Sequence, residues 1–298
     1  MDLATFFIQL LNALQYGLLL FLIASGLTLV FGIMGVINLA HGAFTMVGAY
    51  LAWSLAELTG SFWAALALGI PLTVLLGAAV EWLFVRRLYA RDHLHQVLLT
   101  FGLILILEES RSLLFGDDVH AVAVPALLSG SLPLTDTLSY PVYRFALSGA
   151  CLALALAMAW VIRATRVGMM VRAGASNREM AEALGIPIQW VQLGVFSTGI
   201  ALAGLAGMMA APVSSVYPGM GNQVLILCFV VVVIGGIGSV KGAFVAALLI
   251  GLVDTFGKVV TLEVAGVKLL PQLAGMSVYL LMAVVLLWRP EGLFGRRP

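Results

Sequence analysis

The stretch VFGIMGVINLAHGAF, Val30 to Phe44, interrupts a long apolar segment that runs from Leu3 to Ala56 without an Asp, Glu, Lys or Arg. It holds two glycines and two polar side chains: Gly32, Gly35, Asn38 and His41. Glycine weakens a helix because it loses more backbone freedom on folding than any other residue. We therefore expect the helix to break here, with an amide and an imidazole placed at the break.

The composition is that of a chain almost wholly inside a membrane. Of its 298 residues 62% are hydrophobic and 10% are charged, and the mean hydropathy is +1.10, whereas a soluble domain carries about a quarter charged residues. We expect an all-α polytopic membrane protein with a single transmembrane domain over 1–298, surrounded by lipid and without a nucleic acid partner. Cys151 and Cys228 stand alone in separate apolar runs, so we expect both to be core residues.

A helix needs roughly 20 apolar residues to cross the hydrocarbon core of a bilayer. The candidate spans cover about 6–31, 36–56, 61–85, 96–115, 142–162, 188–211, 222–239, 242–260 and 269–288. The second and the eighth could instead be half-helices that enter and leave on one side. The expectation is therefore eight to nine transmembrane helices with discontinuous or re-entrant segments.

The basic residues set the expected orientation, because short cytoplasmic loops are rich in Lys and Arg. One basic cluster follows the third span, a second lies between Arg163 and Glu182, and a third is the C-terminal tail: Arg86, Arg87, Arg91; Arg163, Arg166, Arg172, Arg178; Arg289, Arg296, Arg297. The loop from Gly116 to Pro141 has three acidic and no basic residues: Asp117, Asp118 and Asp136. We expect the clusters and the C-terminus in the cytoplasm and this loop outside. Nine spans place the N-terminus outside, and eight place it inside.

A second stretch, GGIGSVKGAF from Gly235 to Phe244, resembles the first break. Paired interruptions in two halves of a transporter indicate a substrate site, although in the expected topology both lie on the same side, whereas inverted repeats need opposite sides. The candidate substrate path comprises Gly32, Gly35, Asn38, His41, Gly235, Gly236 and Gly238. The alternative is structural: on a helix Asn38 and His41 would share a face and could simply bond backbone groups that the break leaves free.

The longest cytoplasmic loop contains GASNREMAEALGIPI, Gly174 to Ile188. Ser176 and Glu179 have the spacing of a capping box, and Gly185 followed by Pro187 is a stop signal. These signals predict a helix over Asn177–Leu184, with one apolar face and an ion pair at i, i+4 on another: Met180, Ala181 and Leu184; Arg178 and Glu182. Such a helix could be gripped by a cytoplasmic partner, or it could lie on the bilayer surface.

Charged residues elsewhere in the spans are expected to pair or to reach the interface. Glu108 and Arg111, and likewise Asp254 and Lys258, are spaced three and four residues apart, so each pair could form an ion pair on one helix face. Glu81 and Arg144 lie near span ends and could snorkel to the interface. The sequence lacks a phosphate-binding glycine loop, zinc-ligand spacing and a nucleophile elbow. We therefore expect no catalytic residues, no metal, no cofactor and no enzymatic activity in the chain itself.

Four stretches together resemble a known family: GLTLVFGIMGVINLAHGAFTMVGAYLAW, ASNREMAEALGI, VVIGGIGSVKGAF and RPEGLFG. They are similar to the inner-membrane permeases of branched-chain amino acid ABC importers, and the first resembles the H-type permease more than its M-type companion. The resemblance implies a bacterial or archaeal plasma membrane, a second permease subunit, two cytoplasmic ATPase subunits that bind the ATP, and a periplasmic solute-binding protein. It also implies that Ala175–Ile186 is the coupling helix, with Ser176, Glu179, Met180, Ala181, Glu182, Leu184 and Gly185 as its key residues.

The sequence is also compatible with other functions. Urea and short-chain amide permeases look similar over the same stretches. An ion-coupled secondary transporter or channel would use Glu108, Glu109 or Asp254, and a polytopic membrane enzyme would need a catalytic constellation that the sequence lacks.

Overall fold

The computed structural model describes residues 3–89, 91–135, 138–259, 263–264, 267–268 and 270–295. Within these ranges the chain forms α1 (Leu3–Met34), α2 (His41–Thr59), α3 (Phe62–Leu83), α4 (His93–Phe115), α5 (Val142–Ala164), α6 (Arg166–Ser176), α7 (Arg178–Ala183), α8 (Ile188–Ala210), α9 (Met220–Gly235), α10 (Val240–Val259) and α11 (Leu270–Trp288). Two short antiparallel hairpins pair β1 (Ser131–Thr135) with β2 (Leu138–Pro141) and β3 (Glu263–Val264) with β4 (Val267–Lys268). Single 3-10 turns occupy Val85–Leu88 and Ala126–Leu128.

Each expected span overlaps one of the nine long helices, and α6 and α7 fill the expected cytoplasmic loop. Positions 260 and 269, where two expected spans end and begin, lie outside the described residues. In the part of the chain that the structure describes, five helical segments are long and apolar enough to cross a membrane: Leu3–Met34, Phe62–Leu88, Val142–Ala164, Ile188–Ala210 and Val240–Val259. The fold is therefore helical, with several membrane-crossing segments.

The centre of the bundle is formed by α1, α2 and α8. Their large side chains are enclosed, as Phe21, Tyr50 and Phe196 show with exposures of no more than 2%. Backbones approach closely between these helices: a Cβ atom at Gly48 of α2 would lie 2.5 Å from the Cα atom of Gly204 of α8. Small residues allow such approach where lipid offers no hydrophobic force between helices.

Helices α3, α4, α5 and α11 surround this centre and expose large apolar side chains, including Leu75, Leu105, Trp160 and Leu287. Exposed apolar surface of this extent is typical of contact with lipid or with another membrane subunit. The two cysteines, Cys151 and Cys228, are free and buried, as expected.

One end of the bundle carries the acidic loop. The backbone of His120 exchanges two hydrogen bonds of 2.8 Å with Val216 in the α8–α9 connection, and the His120 ring stacks on Trp53 near the end of α2. Asp117 accepts a hydrogen bond of 2.7 Å from Arg111 of α4. This bond holds the pKa of the Asp117 carboxyl below its ordinary value. Asp136 lies outside the described residues.

The basic segments collect at the opposite end. The tail is fastened there by backbone hydrogen bonds from Leu293 to the carbonyl of Ile234 at 2.8 Å and from Phe294 to that of Gly235 at 3.1 Å. These carbonyls end α9 and have no partner within their own helix, so the tail satisfies them. Arg296 and Arg297 of the tail lie outside the described residues.

Two charge pairs expected within the spans form, Arg144 has a neutral partner, and the expectation for Glu81 is wrong. Glu108 and Arg111 lie 3.8 Å apart, and Asp254 and Lys258 lie 2.6 Å apart. Arg144 donates to Asn12 at 2.7 Å. Glu81 does not snorkel to the interface: its side chain is completely buried, and its partners are described with the candidate site.

Candidate functional site

The first break separates α1 from α2. Helix α1 ends at Met34, Gly35 takes the left-handed conformation at φ +64°, and α2 begins only at His41. Asn38 therefore lies in the connection, and the expectation that Asn38 and His41 share a helical face is wrong. A side chain at Gly35 would meet no atom within 4 Å, so the positive φ, and not lack of space, makes this position favour glycine.

Both polar side chains of the break are fully buried. The Asn38 side-chain oxygen accepts a hydrogen bond of 3.0 Å from the backbone of Ala40. The His41 Nε2 atom lies 2.8 Å from the carbonyl oxygen of Ile23, so a ring protonated at that nitrogen donates to α1. These contacts fasten the start of α2 and match the structural alternative.

The break nevertheless keeps spare hydrogen-bonding capacity inside the bundle. Three of the buried atoms without a hydrogen-bond partner in the described part of the chain belong to this break and the first turn of α2: Asn38 Nδ2, His41 Nδ1 and Thr45 Oγ1. Thr45 follows His41 by four residues, so both lie on one face of α2. Since buried polar atoms are usually paired, this short polar line is the feature that a purely structural role leaves unexplained.

The second break lies between α9 and α10 and touches the first. Gly236 and Gly238 have positive φ values of +95° and +77°. A Cβ atom on Gly32 would lie 2.7 Å from the Cα atom of Gly238, so the two breaks are in backbone contact. Gly235 is equally close to α10, because its Cβ atom would lie 2.5 Å from the carbonyl carbon of Gly242. Gly32 and Gly238 thus bring the two breaks into contact at the basic end of the bundle.

The loop helix α7 begins at Arg178 and not with the expected capping box. Its N-cap is Asn177, whose side-chain oxygen accepts a hydrogen bond of 2.9 Å from the backbone of Met180. Ser176 is the last residue of α6, so the predicted Ser176–Glu179 capping box is wrong. Asparagine is as good an N-cap as serine, and the end of α6 decides which of the two neighbours takes that place.

The other end of α7 is as expected. Gly185 takes φ +85°, its backbone donates to the Glu182 carbonyl at 3.0 Å, and the backbone of Ile186 donates to the Ala181 carbonyl at 3.0 Å. This pair of bonds is a Schellman motif. The predicted ion pair between Arg178 and Glu182 also forms, at 3.3 Å.

The predicted apolar face of α7 divides into two parts. Ala181 is 2% exposed and packs against the protein, whereas Met180 and Leu184 are 58% and 76% exposed. The three residues therefore do not form one exposed face. Ala181 packs α7 against the rest of the protein, and the side chains of Met180 and Leu184 project from the end of the molecule.

The sequence did not predict a connection between α7 and the C-terminal end of α3. The Arg178 guanidinium carbon lies 5.8 Å from the centre of the Tyr89 ring, the geometry of a cation–π contact. The Tyr89 hydroxyl donates to Glu81 at 2.7 Å, and Arg86 lies 3.5 Å from the other oxygen of Glu81. Burial, reinforced by Glu81, raises the pKa of Tyr89, so its hydroxyl remains a donor. The signal in the sequence was Glu81 itself, the single charge in an otherwise apolar helix.

Among the described residues, no group of three or more His, Cys, Asp or Glu side chains is placed to hold a metal ion. The site thus consists of two parts at the basic end: the contact between the two breaks, and the projecting helix α7.

Comparison with known proteins places the chain among transport permeases. The family model "Branched-chain amino acid transport system / permease component" matches residues 9–287. The permease protein BraD of a high-affinity branched-chain amino acid transport system in Pseudomonas aeruginosa is 30% identical, over 97% of this chain and 95% of its own length. LivH of the corresponding Escherichia coli system is 28% identical over the same shares. A probable LivH protein of Methanocaldococcus jannaschii is 27% identical over 82% of this chain and 78% of its own.

Among solved structures, PsaBC from Streptococcus pneumoniae in complex with Fab covers 92% of this chain and 87% of its own, with 16% identity and a TM-score of 0.45. That likeness is too weak to bear on function. The family model and the full-length relatives decide the assignment: the chain belongs to the family of permease components of branched-chain amino acid transport systems.

Proposed function

We propose that this chain is a membrane-embedded permease subunit of an ABC importer and forms the translocation path for branched-chain amino acids. The printed functions of the Pseudomonas aeruginosa and Escherichia coli relatives, which match over nearly the whole chain, support this substrate class. The partners are a second permease subunit, two cytoplasmic ATPase subunits that bind and hydrolyse the ATP, and a periplasmic binding protein that delivers the solute. The chain itself performs no catalysis and binds no cofactor.

We also propose nine crossings, with the N-terminus outside and the C-terminus in the cytoplasm. Among the described residues, nine helices of 16 or more residues overlap the nine expected spans, which supports this count. The loop with Arg86, the segment with Arg172 and the tail with Phe294 all lie at the basic end, as the positive-inside rule requires of cytoplasmic segments.

The observation that carries the proposed function is the geometry of α7. Both of its ends are capped, Ala181 seats it on the protein, and Met180 and Leu184 remain exposed beyond the bundle. An ABC permease needs such a rigid projection to transmit force from its ATPase subunits. A helix lying on the bilayer surface would explain the exposed side chains, but it would not require the cap at each end.

The test is to place a carboxylate at the exposed tip of α7. Leu184→Asp would place a charge in the apolar groove of the ATPase subunit that we propose receives α7. A buried unpaired charge costs several kcal/mol. We expect the variant to insert at normal levels but to lose the ATPase subunits in a pull-down and to lose solute-stimulated ATP hydrolysis. Leu127→Asp is the matched control, because Leu127 is 83% exposed at the acidic end. Retention of the ATPases and of wild-type stimulation by Leu184→Asp would remove α7 as the coupling element.

We propose that the solute path passes the joined breaks, where Gly32 and Gly238 permit the close backbone contact and Asn38 and His41 supply polar groups. Gly35, Gly235 and Gly236 belong to the same path through the turns and the approach to α10 that they allow. Support comes from the unpaired buried atoms of Asn38, His41 and Thr45. His41→Ala distinguishes the two roles. A severe loss of uptake at normal thermal stability indicates a lining residue, whereas a loss of stability with uptake kept per folded molecule indicates a structural one.

The alternative solutes and mechanism have less support. Glu108 and Asp254, which an ion-coupled transporter would use, are each paired with a basic residue. Competition of urea or short-chain amides with leucine for uptake by the reconstituted importer would move the substrate assignment to those solutes.

A further inference from the structure

A cleft of about 1030 Å³ opens at the basic end of the bundle, between α1, α5, α6 and α10. Its walls are mainly apolar and include Leu29, Leu156 and Phe244. Gly32 and Gly238 of the joined breaks lie on its edge, but neither Asn38 nor His41 lines it, so the cleft does not include the polar line inside the first break. Its volume is at the upper limit of ordinary small-molecule pockets, which extend to about 1,000 Å³.

Three cationic side chains lie on the cleft: Arg163 at the end of α5, Arg172 in α6 and Lys241 at the start of α10. Among the residues that the structure describes, no carboxylate side chain lines it. Arg172 donates to the carbonyl of Ile162, and in the part of the chain that the structure describes Arg163 and Lys241 have no ion-pair partner. The cleft thus offers positive charge without compensation.

The length of the cleft matches one leaflet of a bilayer. It extends along α1 from Phe21 to Ile33 and along α5 from Leu152 to Arg163. At 1.5 Å per residue these walls are about 18 Å and about 16 Å long, and half of the hydrocarbon core is about 15 Å. The cations lie where both walls end, which is the level of the lipid headgroups.

These features select the chemistry of the occupant. An amino acid carries an ammonium group as well as a carboxylate, and the cleft has cations but no carboxylate to receive the ammonium. An anion with a long apolar tail satisfies both the charges and the walls. Basic pockets between membrane helices on the cytoplasmic side favour anionic headgroups in the same way.

We propose that the cleft binds an anionic phospholipid of the cytoplasmic leaflet, with its phosphate against Arg163, Arg172 and Lys241 and an acyl chain between α1 and α5. The site rests on the proposed orientation, which places the cations at the cytoplasmic surface, but not on the identity of the transported solute. Because α6 leads directly into α7, a lipid bound here would steady the base of the coupling helix.

The experiment measures lipid binding to the purified full chain, alone and assembled with its permease and ATPase partners, by native mass spectrometry. The probes are phosphatidylglycerol and phosphatidylcholine with identical acyl chains. Both lipids carry a phosphate, but phosphatidylcholine also carries a choline cation that the three cationic side chains repel, so we expect phosphatidylglycerol to bind at least about tenfold more tightly. Equal binding of the two lipids would overturn the proposal, as would loss of bound phosphatidylglycerol on assembly, which would show that a protein partner covers the cleft.

Two variant sets test the charge and the tail separately. Changing Arg163, Arg172 and Lys241 together to Gln should abolish the preference for phosphatidylglycerol. The matched control changes Arg87, Arg91 and Arg166 to Gln; these basic residues do not line the cleft, and the preference should remain. An unchanged preference in the first set, or equal loss in both, contradicts the site.

For the tail, Ala159 lines the cleft and Ala157 on the same helix does not. Ala159→Phe should weaken binding of phosphatidylglycerol, whereas Ala157→Phe should not, and identical binding by the two variants would refute the location of the acyl chain. Labelling of Lys241→Cys from the cytoplasmic side tests the orientation independently, so a wrong topology can be distinguished from an absent lipid site.

Discussion

The N-terminus of α7 gives a prediction in which two neighbouring residues must behave differently. Asn177→Ala removes the acceptor of the 2.9 Å hydrogen bond from the backbone of Met180. Ser176→Ala removes a hydroxyl from the last residue of α6, where alanine is a better helix former than serine. A capping box in the sequence predicts the opposite order of effects, with Ser176 the sensitive position.

The expected magnitude follows from the cap and from the length of the helix. Replacing an N-cap Asn by Ala costs about 1 kcal/mol, within a range of roughly 0.5–2. A six-residue helix cannot persist by its own propensity, since isolated helices need about 12 or more residues. Loss of the cap should therefore favour local unfolding of α7 within the folded protein. A change of 1 kcal/mol makes the locally unfolded population about fivefold larger.

The assay is hydrogen–deuterium exchange on a peptide covering 174–188, combined with solute-stimulated ATP hydrolysis in the reconstituted importer. We expect amides at the C-terminal half of α7, such as Leu184, to exchange about fivefold faster in Asn177→Ala and the stimulation to fall. Ser176→Ala should match the wild type in both measurements. Faster exchange in Ser176→Ala than in Asn177→Ala would refute the assignment of the cap.

Three further expectations concern other parts of the molecule. Tyr89→Phe keeps the ring that Arg178 contacts but removes the hydroxyl that donates to the buried carboxylate of Glu81 at 2.7 Å. The free energy of unfolding should therefore fall by about 1–3 kcal/mol. An unchanged free energy of unfolding would show that the bond is not formed. Gly235→Leu should impair uptake and folding yield because of the contact with α10, whereas Gly149→Leu, which meets no atom within 4 Å, should be tolerated; similar behaviour of the pair would exclude a role for the contact. A cysteine replacing Asp118 should react with an impermeant reagent only from outside, and labelling from the cytoplasm would reverse the topology.

Features that depend on neighbouring residues were predictable from the sequence. The long apolar runs coincide with the long helices of the described residues, five of which are long and apolar enough to cross a membrane. This agreement arises because a membrane helix needs only a continuous uncharged stretch. Gly185 ends α7 as expected, since a left-handed residue after a helix is a local requirement. The ion pairs of Arg178 with Glu182 and of Lys258 with Asp254 follow from spacing on a single helix.

The candidate site was predictable only in part. The sequence indicated that α7 projects a cytoplasmic surface, but it treated Met180, Ala181 and Leu184 as one face. Which of them is buried depends on the direction in which α7 meets the rest of the protein. The packing encloses Ala181 and leaves Leu184 free, and no periodicity within six residues contains that information.

Sequence by itself determined the membrane class, the positions of the helices and the two glycine breaks of this protein, because each is a property of composition or of neighbours along the chain. Only the tertiary structure decided that Gly32 touches Gly238, that Glu81 is buried beneath Tyr89, and that Arg163 and Lys241 share a cleft. These residues are far apart in the sequence or on different helices. Their contacts arise from the way the helices pack, and helix packing is fixed by many close approaches at once rather than by any one stretch.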